Sequence, residues 1–310
     1  MTNVTAWTAA HAAPALRVPH AGDDKYSRGV LGVRTGSTAY PGAAVLGVEA
    51  AWRTGIGMVR YVGPERVASR VLDLRPETVP GDGRVQAWLC GSGMDAAART
   101  PAETAALRAL LSGEAPVVVD AGALDLVVPA SAPGSAQDLV PGRRTAPCVL
   151  TPHDREFARL QRALGLNPGA APEAGAELAE RVAQTRALAA ALGQTVLRKG
   201  ATTIVASPDG GCATVAAATP WLATAGTGDV LGGVIGALVA GAAARGALSH
   251  GELRALAATG ALVHGMAGRI AAGLEPLASP GEGGRPITAL DVACALPRAV
   301  ASIRELAARG

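Results

Sequence analysis

The stretch Ala223 to Gly233, ATAGTGDVLGG, combines more chemically useful features than any other in the chain. Gly226 and Gly228 flank Thr227, a carboxylate follows at Asp229, and an apolar run long enough for a helix then begins. The first N–H groups of a helix have no partner within it, and the helix dipole adds partial positive charge there, so a phosphate or oxyanion is favoured at such a turn. Glycine lets the backbone come close to that anion. A carboxylate beside bound phosphate is repelled unless it has a task, such as taking a proton from a hydroxyl that attacks phosphorus. Two readings stand at this point. Either Gly226, Thr227 and Gly228 form an anion hole served by Asp229, or Asp229 is an N-cap after a glycine turn.

Composition limits the protein that can carry such a turn. The 310 residues are 49% hydrophobic but only 3% aromatic, so the core must be filled by Ala, Val and Leu against many glycines, which suits close packing of helices on a sheet. The net charge is +3 and the 28 basic residues are scattered, so no basic stripe points to nucleic acid. Lys25 and Lys199 are the only lysines. Cys90, Cys148, Cys212 and Cys294 form no CxxC pair, which argues against a zinc site or disulfide framework and makes a reducing cytoplasm the default. The first twenty residues lack an apolar signal-peptide core. Val230 to Ala244 is apolar but shorter than the ~20 residues that span a bilayer, so a buried helix is expected there and no membrane partner.

Short β-branched or apolar runs alternate with helical patterns, which predicts βαβ units around a mostly parallel sheet. Strands are predicted at Gly29 to Val33, Met58 to Val62, Val85 to Cys90, Val117 to Asp120, Cys148 to Thr151, Thr195 to Arg198, Thr203 to Ala206 and Cys212 to Ala216. Pro208 to Gly211 marks a hairpin turn. Helices are predicted at Pro41 to Trp52, with proline at the first helical position, and at Asp154 to Leu164, Glu173 to Leu192, Leu253 to Ala272 and Leu290 to Ala308. Ala130 to Thr145 and Pro276 to Pro286 read as Pro/Gly-rich loops. Residues 1–24 are expected to be a loose arm and 25–310 a single domain.

Five further segments place glycine or polar residues where strands should end, the ligand edge of an open α/β sheet. They are TGSTAYPGAA (Thr35 to Ala44), CGSGMD (Cys90 to Asp95), VVVDAGAL (Val117 to Leu124), LTPHDREFARL (Leu150 to Leu160) and LRKGATTIVA (Leu197 to Ala206). Singly each is weak: a lone histidine such as His153 at a helix start is more often a cap than a ligand contact, and a lysine such as Lys199 is more often solvated than bound to phosphate.

In order, KYSRG (Lys25 to Gly29), YPGAA, GSGM, VVVDAGAL, TPHDREFARL, LRKGATT and LATAGTGDVLGG closely resemble the NAD(P)H-hydrate dehydratase family of the ribokinase-like superfamily. The resemblance runs from about Lys25 to the final helix. It implies a ribokinase-like three-layer α/β sandwich with a mostly parallel central sheet and helices on both faces. It also implies ADP-dependent dehydration of the S-epimer of NADH hydrate or NADPH hydrate, restoring NAD(P)H with release of AMP and phosphate.

Carried position by position, the resemblance gives Ala43, Gly93 and His153 contacts to the hydrated nicotinamide nucleotide. Lys199, Gly200, Ala201, Thr202, Thr203 and Gly228 would hold the adenine nucleotide. Asp229 would touch the substrate and take the proton from its C6 hydroxyl. ADP, or ATP, would be the phosphoryl donor and Mg²⁺ its counter-ion, although no segment names metal ligands. A homo-oligomer, with a tetramer favoured, and functional pairing with a separate NAD(P)H-hydrate epimerase are implied in the same way. Three positions depart from the family pattern. Ser92 replaces a proline, predicting a looser loop. Asp154 and Arg155 replace Pro-Gly, with Arg155 expected to offset Asp154. The asparagine that often precedes LAT is missing.

Two alternatives remain open: a ribokinase-like small-molecule kinase of the hydroxyethylthiazole kinase type, which would leave a stable phosphorylated product, and a nucleotide-binding protein that has lost turnover. Asp229→Asn separates them. Nucleotide binding is expected to survive while turnover falls at least ~100-fold, on the scale of general acid-base catalysis; unchanged turnover would remove Asp229 from the chemistry.

Overall fold

The computed structural model describes residues 4–128, 146–166, 178–275 and 283–309. Among the described residues ten strands form one sheet: β1 (Val4–Ala6), β2 (Val30–Arg34), β3 (Met58–Tyr61), β4 (Val79–Pro80), β5 (Ala87–Cys90), β6 (Val117–Val119), β7 (Cys148–Leu150), β8 (Thr195–Arg198), β9 (Thr203–Ala206) and β10 (Cys212–Val215). Their spatial order is β1-β10-β9-β8-β7-β6-β5-β2-β3-β4, parallel except where β9 runs against β8 and β10. The central strands are apolar throughout because both faces of the sheet are covered and nothing has to alternate with solvent. Side chains alternate instead between two cores. Val118, Leu89, Leu197 and Val205 enter one; Val117, Val119, Cys90, Val196 and Ile204 enter the other.

The helices fill these two layers. On one face α2 (Gly42–Thr54), α7 (Thr227–Ala243), α8 (His250–Ala271) and α9 (Ala289–Arg309) pack against each other; α4 (Pro101–Ser112), α5 (Asp154–Ala163) and α6 (Leu178–Leu192) cover the other. Among the described residues the remaining α-helices are the short α1 (Ala9–Ala12) and α3 (Glu65–Leu74). This is the three-layer sandwich expected, and no helix among the described residues is long and apolar enough to cross a membrane.

The predicted strands are found within a residue or two of their expected bounds, and β8 and β9 match at both ends. Two readings need correction. Gly29 to Val33 does not hold the first strand, and the opening residues are not a loose arm. Val4–Ala6 pairs in parallel with Cys212, Ala213 and Thr214, while Ala12 and Leu16 are buried in the larger core. Three residues without a helical or alternating pattern carry no local signal, so only their partner strand gives them structure. Pro41 is the N-cap of α2, one position earlier than the first-turn place expected of it. The Ala130 to Thr145 loop, the start of the Glu173 helix and most of the Pro276 to Pro286 loop lie outside the described residues.

Glycine sets how near the helices approach one another. A Cβ on Gly233 of α7 would lie 2.2 Å from the Gly47 carbonyl oxygen and 2.9 Å from Ala50 Cβ, both on α2. Gly233→Ala is therefore expected to cost about 1–3 kcal/mol through overpacking, read as a lower Tm; a melting curve unchanged from the parent would show that the α2–α7 contact can yield.

Candidate active site

The parallel strands β2, β5, β6, β7 and β8 are adjacent and all end at the same edge. The residues that follow them therefore meet in one row, the crevice position where open α/β sheets bind ligands. Asp120 follows β6 and is 4% exposed. It accepts hydrogen bonds from Ser92 Oγ at 3.0 Å, Thr151 Oγ1 at 2.8 Å and Lys199 Nζ at 2.9 Å, each from a loop after a different strand. Burial alone would raise the Asp120 pKa, but the Lys199 charge and these three donors outweigh it and hold the carboxyl below its usual range. The next residue, Ala121, has φ 44, the sole non-glycine residue with positive φ among those described. That left-handed conformation is strained for a side chain with a Cβ and is tolerated where surrounding contacts fix it.

Above this row stands the first turn of α7. Gly226 is its N-cap with φ 89, and a Cβ there would meet Leu46 Cδ1 at 2.5 Å. Thr227 points inward, donating its hydroxyl to the Leu222 carbonyl at 2.9 Å. Asp229 is therefore the third residue of the helix, and no side-chain cap is formed. The N-cap alternative for Asp229 is thus excluded, and its carboxylate accepts no hydrogen bond among the described residues. Burial, reinforced by the nearby Asp120 charge and partly opposed by Lys199, pushes Asp229 up to about 6. Lys199 is the cation between them: a Cβ on Gly228 would come 3.7 Å from its Nζ, and Glu156 Oε2 lies 3.9 Å away. Burial would lower the Lys199 pKa, but Asp120, Glu156 and Asp229 together raise it, so the ammonium stays charged. Behind the turn, burial pulls His264 of α8 down to about 4, leaving the imidazole neutral.

A cavity of about 820 Å³ opens beside this row, within the size range of small-molecule sites. Its wall includes Tyr40, Gly93, Met94, Gly122, His153 and Glu156. Gly93 has φ 67, and a Cβ there would lie 2.4 Å from Ala43 Cβ, so those two predicted residues touch. His153 caps α5: its Nδ1 accepts from the Arg155 N–H at 3.1 Å, while its own N–H donates to Glu156 Oε2 at 2.9 Å. The cap and cavity-wall roles coexist. Glu156, which lines the cavity and approaches Lys199, joins the cavity to the α7 turn. Gly200, Ala201 and Thr202 form the β8–β9 turn, and Thr203 opens β9. Gly200 lies under the guanidinium of Arg181, with a would-be Cβ 2.6 Å from Nη2.

Two expectations about the departures from the family pattern are corrected. Ser92 does not loosen its loop: it is 1% exposed and ties the loop to Asp120. Asp154 is offset not by Arg155 but by Arg198 Nε at 2.7 Å and Arg181 Nη2 at 3.4 Å. Arg198 is itself buried, stacked 4.3 Å over the Phe157 ring.

Residues 31–277 match the model of a family described as NAD(P)H-hydrate dehydratase. The chain belongs to the NAD(P)H-hydrate dehydratase family. It is 44% identical over 244 residues to the bifunctional NAD(P)H-hydrate repair enzyme Nnr of Mycobacterium tuberculosis, covering 77% of this chain and 46% of that protein. The chain thus spans about half the length of the bifunctional relatives it matches first. It is 34% identical over 258 residues to the ADP-dependent (S)-NAD(P)H-hydrate dehydratase of Neisseria meningitidis, covering 76% of this chain and 82% of that one. In three dimensions it is similar to the ADP/ATP-dependent NAD(P)H-hydrate dehydratase of Bacillus subtilis co-crystallised with ATP and Mg²⁺. The TM-score is 0.74 at 26% identity, over 98% of this chain and 100% of that one. A ribokinase-like superfamily protein of Enterococcus faecalis, at 18% identity and TM-score 0.73, shares the fold.

Asp120 in VVVDAGAL and Thr151 and Glu156 in LTPHDREF are site residues that the family motifs alone do not single out. The available signal was a carboxylate ending a continuous apolar run, where burial obliges it to find donors. If Asp229 is the base, kcat/KM should fall as pH drops through about 6. In Asp120→Asn that acid limb should move to lower pH, because a negative charge leaves Asp229's surroundings and the Lys199 charge is left uncompensated. A limb that stays in place would show that Asp120 does not set the base.

Proposed function

We propose that this chain carries out ADP-dependent dehydration of the S-epimer of NADH hydrate or NADPH hydrate, restoring NAD(P)H and releasing AMP and phosphate. The observation that carries the reading is the half-buried Asp229 carboxylate, held without a hydrogen-bond partner among the described residues in the first turn of α7 and facing the charge of Lys199. A base that titrates near 6 is ionised at neutral pH yet still basic enough to accept a proton as a hydroxyl begins to attack.

In this reading the nicotinamide end of the substrate lies against Ala43, Gly93 and His153, and the adenine nucleotide along Lys199 to Thr203 with Gly228. Asp229 takes the proton from the C6 hydroxyl as that oxygen bonds to the terminal phosphorus of ADP and the bond to AMP breaks. The N–H groups of Thr227, Gly228 and Asp229 have no acceptor within the helix and would receive the transferring oxygens, with Lys199 neutralising charge. Phosphate then leaves C6, a proton leaves the neighbouring carbon, and the ring double bond is restored. Among the described residues no three metal-ligating side chains converge. A magnesium ion carried on the nucleotide phosphates would neutralise charge there.

The ADP-dependent Neisseria relative supports ADP as donor, the ADP/ATP-dependent Bacillus relative supports either nucleotide, and the bifunctional repair enzymes support pairing with an epimerase activity. A cytoplasmic homo-oligomer, with a tetramer favoured, belongs to the same proposal. The test is to incubate the protein with NADH hydrate, Mg²⁺ and ADP, ATP or no nucleotide, following the reduced-nicotinamide absorbance. Recovery only with nucleotide is expected, fastest with ADP. No recovery from protein that still binds nucleotide would favour the small-molecule kinase or the inactive binder.

A further inference from the structure

The cavity beside the α7 turn presents three carboxylates, Asp95, Asp125 and Glu156, but among the described residues of its wall only one arginine or lysine, Arg159. Each acid already has donors. Asp125 is bound by Arg99 Nη1 at 2.9 Å, Asp95 accepts the Ala97 N–H at 2.9 Å, and Glu156 accepts the His153 N–H at 2.9 Å with Lys199 Nζ 3.9 Å away. Arg159 is exposed and makes no hydrogen bond or ion pair with any of them. A guanidinium left open on a wall that otherwise repels anions is suited to a planar, two-pronged grip on a phosphate entering from solvent.

Its position along α5 gives that grip a place on the ligand. His153, Glu156 and Arg159 recur at three-residue spacing on the cavity face of the helix. At ~1.5 Å rise per residue Arg159 stands roughly 9 Å along the axis from His153. With the hydrated ring at His153, that distance reaches past the ribose toward the phosphates, not the reacting carbon.

We propose that Arg159 is a substrate-binding residue that holds a phosphate of the dinucleotide substrate, extending its binding run along α5. The inference rests on the dehydratase reading above for its substrate. Two phosphate sources share this chemistry: the pyrophosphate common to both hydrates and the 2′-phosphate of NADPH hydrate alone.

Steady-state kinetics of the parent protein and Arg159→Gln with ADP, Mg²⁺ and each hydrate separate these cases. KM is expected to rise about ten- to hundred-fold with kcat little changed, the size of one lost charged hydrogen-bonding grip. A rise for both hydrates assigns the pyrophosphate; a rise for NADPH hydrate alone assigns the 2′-phosphate and makes Arg159 the discriminator. Arg159→Lys should restore part of the loss, since the charge remains while the fork is gone. KM unchanged for both hydrates in Arg159→Gln would overturn the proposal. Absence of turnover in the parent protein would instead overturn the dehydratase reading itself, so the two failures are distinct.

Discussion

A carboxylate removed from water must be surrounded by donors, and at Asp120 that requirement organises the whole ligand edge of the sheet. Its three side-chain partners arrive from the loops after β5, β7 and β8, so four neighbouring strands must end in register for the group to be satisfied. Leaving a buried charge unpaired costs several kcal/mol, more than the packing of any one loop residue. Lys199 is consequently fixed in direction: its ammonium is drawn inward, under the α7 turn, where solvent alone would have left it free. The same charge pair sets the field in which Asp229 titrates. Structure and reactivity here depend on one ion pair.

The second constraint is distance. For Asp229 to come over this row, α7 has to lie close to the sheet and to α2, and an apolar helix with ordinary side chains would stand off. Gly232 and Gly236 let Leu89 and Leu31 press against the helix, and Gly233 admits the α2 backbone. The low aromatic content of the chain is the compositional counterpart of that geometry. A core built from small residues forms thin layers, and thin layers bring helix ends near strand ends.

How much of this was legible in the sequence depended on whether the signal was local. Thr195–Arg198 and Thr203–Ala206 were readable because short runs rich in β-branched and apolar residues, set between glycine- and proline-containing turns, have few other fates. The α7 turn was readable because glycine, threonine and aspartate at that spacing before an apolar run combine a bend, an anion site and a base. Asp120 was visible as a letter but not as a hub, since its partners lie 28, 31 and 79 residues away. Ser92 was misread for the same reason: set against a family pattern it is a lost proline, whereas in space it is a donor. Arg198 reads as a strand residue until Asp154 and Phe157 are seen to enclose it.

The pairing of Val4–Ala6 with Cys212–Thr214 also orders events in time. Ribosomes add ~5–20 residues per second, so the first strand waits on the order of 10–40 s for its partner to be made. Through that interval the sheet can assemble outward from its centre, but the outer edge of β10 has no cover, and an open edge can accept a strand from another chain. Although made well before β10, the residues of β1 can thus dock only after it. Their docking covers the free side of β10 and leaves the three residues of β1 as the outermost strand of the sheet, a shorter template than β10 for a strand from another chain.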